Sequence, residues 1–80
     1  MEDSRLDELV ELLVKEVKLD IELEFYEEAI HTVDRLFEID PNFENAGKAY
    51  HCRSYANFEL GRYEEALKDM EVCKKLLIRH

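Results

Sequence analysis

Leu23-Glu24-Phe25-Tyr26-Glu27-Glu28-Ala29-Ile30 returns further along the chain as Leu60-Gly61-Arg62-Tyr63-Glu64-Glu65-Ala66-Leu67, 37 residues later. In both copies an aromatic residue is followed by two acids and then by the start of an apolar stripe. Acids in that place suit the first turn of a helix, whose N-terminal end carries partial positive charge. A period of this length is the signature of stacked helical hairpins.

Before the first copy, Leu6, Leu9, Val10, Leu13, Val14 and Val17 recur at i, i+3, i+4 and i+7, one face of a helix. Ser4 followed by Asp7 resembles a capping box at its start. Leu19 to Phe25 alternates apolar and acidic residues as a strand would, but nothing else in the chain could pair with it. It reads as the frayed end of the first helix and the bend after it. A second helix is expected over about residues 26–39, burying Ala29, Ile30, Val33, Leu36 and Phe37. Asp40-Pro41-Asn42 ends it, because proline disfavours helical geometry in the residue before it. A third is expected over about residues 42–60, closed by Gly61 in the left-handed region, and a fourth over about residues 63–79.

The third helix is apolar or small on two sides. Phe43, Ala46, Gly47, Tyr50, Ser54 and Phe58 form one stripe; Ala49, Cys52, Ala56 and Leu60 form another. Such a helix is packed between neighbours. Its polar side carries Glu44, Lys48, His51, Tyr55 and Glu59. The last helix is expected to bury Tyr63, Ala66, Leu67, Met70, Cys73 and Leu77, leaving Val72 and Leu76 roughly opposite and Ile78 at the edge. The chain thus reads as all-α, a single domain of four antiparallel helices in two hairpins, about residues 4–41 and 42–80.

Composition agrees. Eighty residues with two Gly and one Pro lack the turn residues that a sheet protein needs about every 8 to 12 positions. Residues 1–40 hold 14 Asp or Glu against four Lys or Arg, and residues 41–80 hold six against seven. Neither half offers the basic stripe that nucleic acid requires. The acidic first half is either a solvated face or a docking surface for a basic partner. The acidic start and the lack of a long apolar run give no signal peptide and no membrane helix. Two cysteines are too few for a disulfide framework, so a cytoplasmic setting with reduced thiols is expected.

The sequence resembles the tetratricopeptide-repeat (TPR) family. Residues 47–80 fit one 34-residue repeat without a gap: Tyr50 at the first aromatic position, Ser54 and Ala56 at small positions, then Gly61, Tyr63 and Ala66. Tyr26, Ala29 and Asp40-Pro41-Asn42 fit the second helix of the preceding unit and its exit. The first helix departs: an ungapped alignment puts Glu16 and Asp20 at core positions, whereas about three extra residues before Tyr26 put Val10, Leu13, Val14 and Val17 there instead; Arg53 and Asn57 also replace residues usually apolar or aromatic. The resemblance implies two stacked hairpins, a fragment of a right-handed solenoid, with a concave groove lined by the first helix of each. In the second unit those groove positions fall on Lys48, His51, Tyr55, Phe58 and Glu59. The Lys, Asn and Arg set with which one TPR subclass grips the C-terminal carboxylate of heat-shock chaperones is missing, since His51, Cys52 and Tyr55 take those places.

No catalytic constellation accompanies the repeat. Glu27-Glu28 and Glu64-Glu65 are helical neighbours that point apart, as are His51 and Cys52. His31, His51 and His80 with the two cysteines show no zinc-ligand spacing. Asp40 to His51 lacks the Gly and Glu of a calcium loop. The expected function is therefore a non-catalytic interaction module without cofactor or metal, binding a basic or amphipathic segment of another protein through Lys48, His51, Tyr55, Phe58 and Glu59. Tyr55 is the expected anchor, while Tyr26, Phe37, Phe58 and Tyr63 also read as core. The alternative is self-association through Val72, Leu76 and Ile78, because two hairpins leave apolar faces uncovered.

Overall fold

In a computed structural model that describes residues 3–78, the chain forms four helices: α1 (Asp3–Glu22), α2 (Tyr26–Ile39), α3 (Ala46–Glu59) and α4 (Tyr63–Ile78). No strand occurs among the described residues. The molecule measures 42 × 30 × 18 Å, and its shortest dimension is about two helix layers at a spacing of 8–10 Å. α1 packs on α2, and α3 packs on all three other helices. Among the described residues α4 touches α3 alone.

The two copies of the repeated octapeptide make the same turn. The Glu24 and Phe25 amides donate to the Ile21 and Asp20 carbonyls, and the Gly61 and Arg62 amides donate to those of Phe58 and Asn57. Each is a Schellman closure, which needs a left-handed residue one place past the C-cap. Gly61 supplies it with φ +82°, and Glu24 takes the same conformation with φ +64°. That region costs a residue with a Cβ about 1–2 kcal/mol. Glu24→Gly should therefore stabilise the protein by about 0.5–1 kcal/mol after the added flexibility of the unfolded chain is subtracted. A rise in the urea midpoint at constant slope would show it; an unchanged or lower midpoint would mean that the Glu24 side chain contributes something the turn does not reveal.

Several boundaries and burials differ from expectation. α1 is regular to Glu22, with no fraying over Leu19–Glu22. The helix is already formed at Asp3, which sets Ser4 and Asp7 inside it, and the side chain of Ser4 lies outside the described residues. α3 starts at Ala46, not near residue 42. Asp40 holds the link by accepting the Asn42 amide on its carboxylate (3.2 Å) and the Phe43 amide on its carbonyl (3.3 Å), an Asx turn that competes with helix. Phe43 enters the core from this loop.

The core lies between α1, α2 and α3: Leu13, Val17, Val33, Leu36, Phe43, Ala46 and Ala49 are buried together. The expected stripe of α2 holds, with Thr32 added and Ile30 and Phe37 only half-buried. α4 is attached differently from the reading of its sequence. It buries Ala66, Asp69 and Cys73, whereas Tyr63, Leu67 and Leu77 are exposed. Val72 and Leu76 are half-buried and line an open groove with Phe43, Ala46, Gly47 and Tyr50, and of the three self-association candidates only Ile78 is fully on the surface. The stripe misled because, among the described residues, α4 packs on one helix only, so Tyr63, Leu67 and Leu77 stay exposed.

What replaces an apolar contact is a polar clamp. The Arg53 guanidinium donates to both carboxylate oxygens of Asp69 on α4 (2.9 Å each) and to Asp34 on α2 (2.7 Å). It also lies over the rings of Phe37 and Tyr50, at 5.2 and 5.4 Å from their centroids. The Asn57 amide reaches Asp69 at 3.5 Å, and Ser54 donates its hydroxyl to the Ala66 carbonyl at 2.8 Å.

Candidate functional site

The five groove residues of α3 are all exposed but do not share one surface. His51, Tyr55 and Phe58, at i, i+4 and i+7, line an open cleft of about 370 Å³ between α3 and α4, closed on its far side by Tyr63, Ala66, Leu67 and Met70. Lys48 faces the other way, into a narrow crevice against α1 beside Val14, Lys18 and Cys52. Glu59 lines neither, and its charge acts on Tyr26.

The cleft is walled by aromatic rings. Phe58 and Tyr63 lie 5.4 Å apart between centroids, bridging the two helices at 56 % and 59 % exposure. Leu67 beside them is 67 % exposed. Tyr55 meets Tyr26 edge-on at 5.9 Å, so the expected anchor is partly committed to joining the hairpins. The Tyr26 phenol is pushed up to about 12, first by desolvation, then by the Tyr55 hydroxyl and the carboxylates of Glu24 and Glu59.

The 37-residue period explains why this surface is apolar. Tyr26 and Ile30 correspond to Tyr63 and Leu67, and Val17 and Ile21 correspond to Ser54 and Phe58. In the first hairpin these positions are buried or half-buried, and α3 lies across that hairpin. In the second hairpin no described helix lies there, and Phe58, Tyr63 and Leu67 are exposed. Reading the stripes one helix at a time placed Tyr63 and Leu67 in the core. Counting back 37 residues would have marked them as a surface awaiting a neighbour.

Ser54 in the cleft is buried and donates its hydroxyl to the Ala66 carbonyl, so that hydroxyl is not free for His51 three residues away. Cys52 points into the crevice, away from His51 in the cleft, and burial pushes its thiol up against a smaller lowering by Lys18. A thiol held protonated is a poor nucleophile. Both cysteines are free, and among the described residues no group of three or more His, Cys, Asp or Glu is placed to hold a metal ion. No described helix is long and apolar enough to cross a membrane.

Asp20 stands apart. It occupies the place that Asn57 takes in the second hairpin, is 7 % exposed, and leaves Oδ2 without a hydrogen-bond partner among the described residues. Desolvation, then the charges of Glu16 and Glu28, raise its pKa. It also sits in the last turn of α1, the negative end of the helix dipole. A raised carboxylate pKa means that the folded state holds the proton more tightly, so ionised Asp20 is a cost at neutral pH that disappears as the pH falls below its ordinary value of 3.8. Asp20→Asn removes the charge but keeps a buried polar group, and should stabilise the protein at pH 7 by under about 1 kcal/mol. The gain should shrink on acidification. An Asn variant less stable than the parent at pH 7 would mean that the Asp20 charge is compensated.

No protein-family model matches this chain, and no curated protein and no solved structure matches it either.

Proposed function

We propose that this chain is a non-catalytic protein-interaction module of TPR type, and that it takes the apolar face of a partner helix into the cleft between α3 and α4. One observation carries the reading: the positions that α3 covers on the first hairpin recur on the second as Phe58, Tyr63 and Leu67, exposed by more than half. Apolar walls with aromatic rings at their centre are the usual composition of binding hot spots. An amphipathic helix offers such walls residues at i, i+3, i+4 and i+7. Among the sequence-derived candidates His51, Tyr55 and Phe58 fit this role, while Lys48 faces the crevice against α1 and Glu59 lines neither cleft nor crevice. Two free thiols suit a reducing, cytoplasmic setting.

The test is quantitative capture from a cell extract by the wild type and by Phe58→Ala, Leu67→Glu and Lys48→Ala. Phe58→Ala and Leu67→Glu leave the core untouched, whereas Tyr55→Ala also removes the contact with Tyr26. Each of the first two should weaken the partner by about 1–2 kcal/mol, and Lys48→Ala by less than about 1 kcal/mol. Partners lost with Lys48→Ala and kept by both cleft variants would move the site to the α1–α3 groove.

A further inference from the structure

We propose that the helix received by the α3–α4 cleft is α1 of a second copy of this chain, so that copies join head to tail; this rests on the reading of the cleft as a helix seat. The contact already exists once within the molecule, where α3 lies across α1 and α2. The helix that corresponds to α3 in the first hairpin is α1, and the face it would present is bare. Leu12 and Leu19 are 62 % and 53 % exposed, whereas their counterparts Ala49 and Ala56, pressed between helices, are 6 % and 0 %. One molecule therefore carries both an uncovered seat and, at its opposite end, an uncovered copy of the face that fills such a seat. Leucine is larger than alanine, and the floor of the open seat is correspondingly smaller, with Ser54 where the first hairpin has Val17.

Charge disfavours pairing between two first hairpins and leaves head-to-tail contact open. Residues 1–40 carry 14 acids against four bases, so two first hairpins repel one another, while residues 41–80 are nearly balanced. At one point the correspondence reverses sign. Arg53, which ties α3 to Asp34, is Glu16 in α1, and Asp34 is Glu71 in α4. Lys68, Lys74 and Lys75 flank Glu71 at i−3, i+3 and i+4 and supply countercharge for the incoming acid. A head-to-tail contact is heterologous and continues until chain ends or geometry stop it.

The experiment is sedimentation velocity over a concentration series, with circular dichroism to confirm helicity, on the wild type and two variants altered only at exposed residues. Leu12→Glu with Leu19→Glu blocks the α1 face; Phe58→Ala with Leu67→Glu blocks the cleft. The wild type should grow past a dimer with concentration, and each variant alone should stay monomeric. An equimolar mixture of the two should give a one-to-one dimer and stop there, since one retains an intact cleft and the other an intact α1. Glu16→Arg, which pairs with Glu71, should lower the concentration of half-assembly severalfold. A wild type that is monomeric throughout overturns the proposal, as does a dimer abolished by the cleft variant but not by the α1 variant, or a mixture that remains monomeric. If the monomeric wild type still captures a partner that the cleft variant loses, the helix seat stands and only its occupant was misassigned.

Discussion

Arg53→Ala should lower the free energy of unfolding by about 3 kcal/mol, the near end of the range for leaving one member of a buried ion pair behind. A chain of 80 residues has a total stability of about 4–12 kcal/mol, so the loss is large. Asp69 is only 7 % exposed, and Arg53 supplies two of its hydrogen bonds; without them the carboxylate keeps the long contact to Asn57 alone. The same side chain holds Asp34 and lies on Phe37 and Tyr50, so α2, α3 and α4 loosen together. Asp34→Ala should cost under about 1 kcal/mol, because Asp34 is half exposed and water replaces its partner. Arg53→Met combined with Asp69→Leu should come back to within about 1 kcal/mol of the wild type, since apolar pairs commonly substitute for buried ion pairs without loss. Denaturant unfolding measures all three. A double variant as unstable as Arg53→Ala would show that the stacking on Phe37 and Tyr50, not the charge pair, holds the hairpins together.

Leu36→Ala should cost about 3 kcal/mol, whereas Leu67→Ala should cost under about 0.5 kcal/mol, although both remove the same atoms from a helix. Leu36 is 0 % exposed, in the centre of the cluster that α1, α2 and α3 close, and its loss leaves a cavity that three helices cannot fill. Leu67 is 67 % exposed, on the open wall of the cleft. The difference separates a covered hairpin from an uncovered one in the same chain. Equal costs for the two would mean that the cleft is closed in solution.

Much of this was legible in the residues. The repeated octapeptide, Asp40-Pro41 and Gly61 set the number of helices and the turns between them, because left-handed closures and proline act locally. Two-sided apolarity correctly put α3 between neighbours. The extent of burial on α4 was not legible in the same way. Leu67 and Cys73 look alike in a stripe, and only the absence of a described helix beyond α4 decides that one is exposed and the other buried. Arg53, Asn57 and Asp69 were visible as departures from an apolar pattern, but their bonding depends on residues 12 and 16 positions apart meeting across a turn. Asp20 is the converse: the expected core positions of α1 were Val10, Leu13, Val14 and Val17, and Asp20 is buried all the same, while Glu16 is exposed. The groove candidates shared a helix face by spacing, and splitting them required knowing where α1 and α4 lie on either side of α3.

Site-specific photo-crosslinking from position 67, with position 38 on the exposed side of α2 as control, tests the central claim most directly. A photoreactive residue in place of Leu67 should crosslink efficiently in cells, and mass spectrometry should place the adducts on one apolar face of a single helix, at spacings of three and four residues. Adducts from position 67 no more abundant than those from position 38, with strong crosslinking instead from position 48, would contradict the assignment of the α3–α4 cleft as the binding surface.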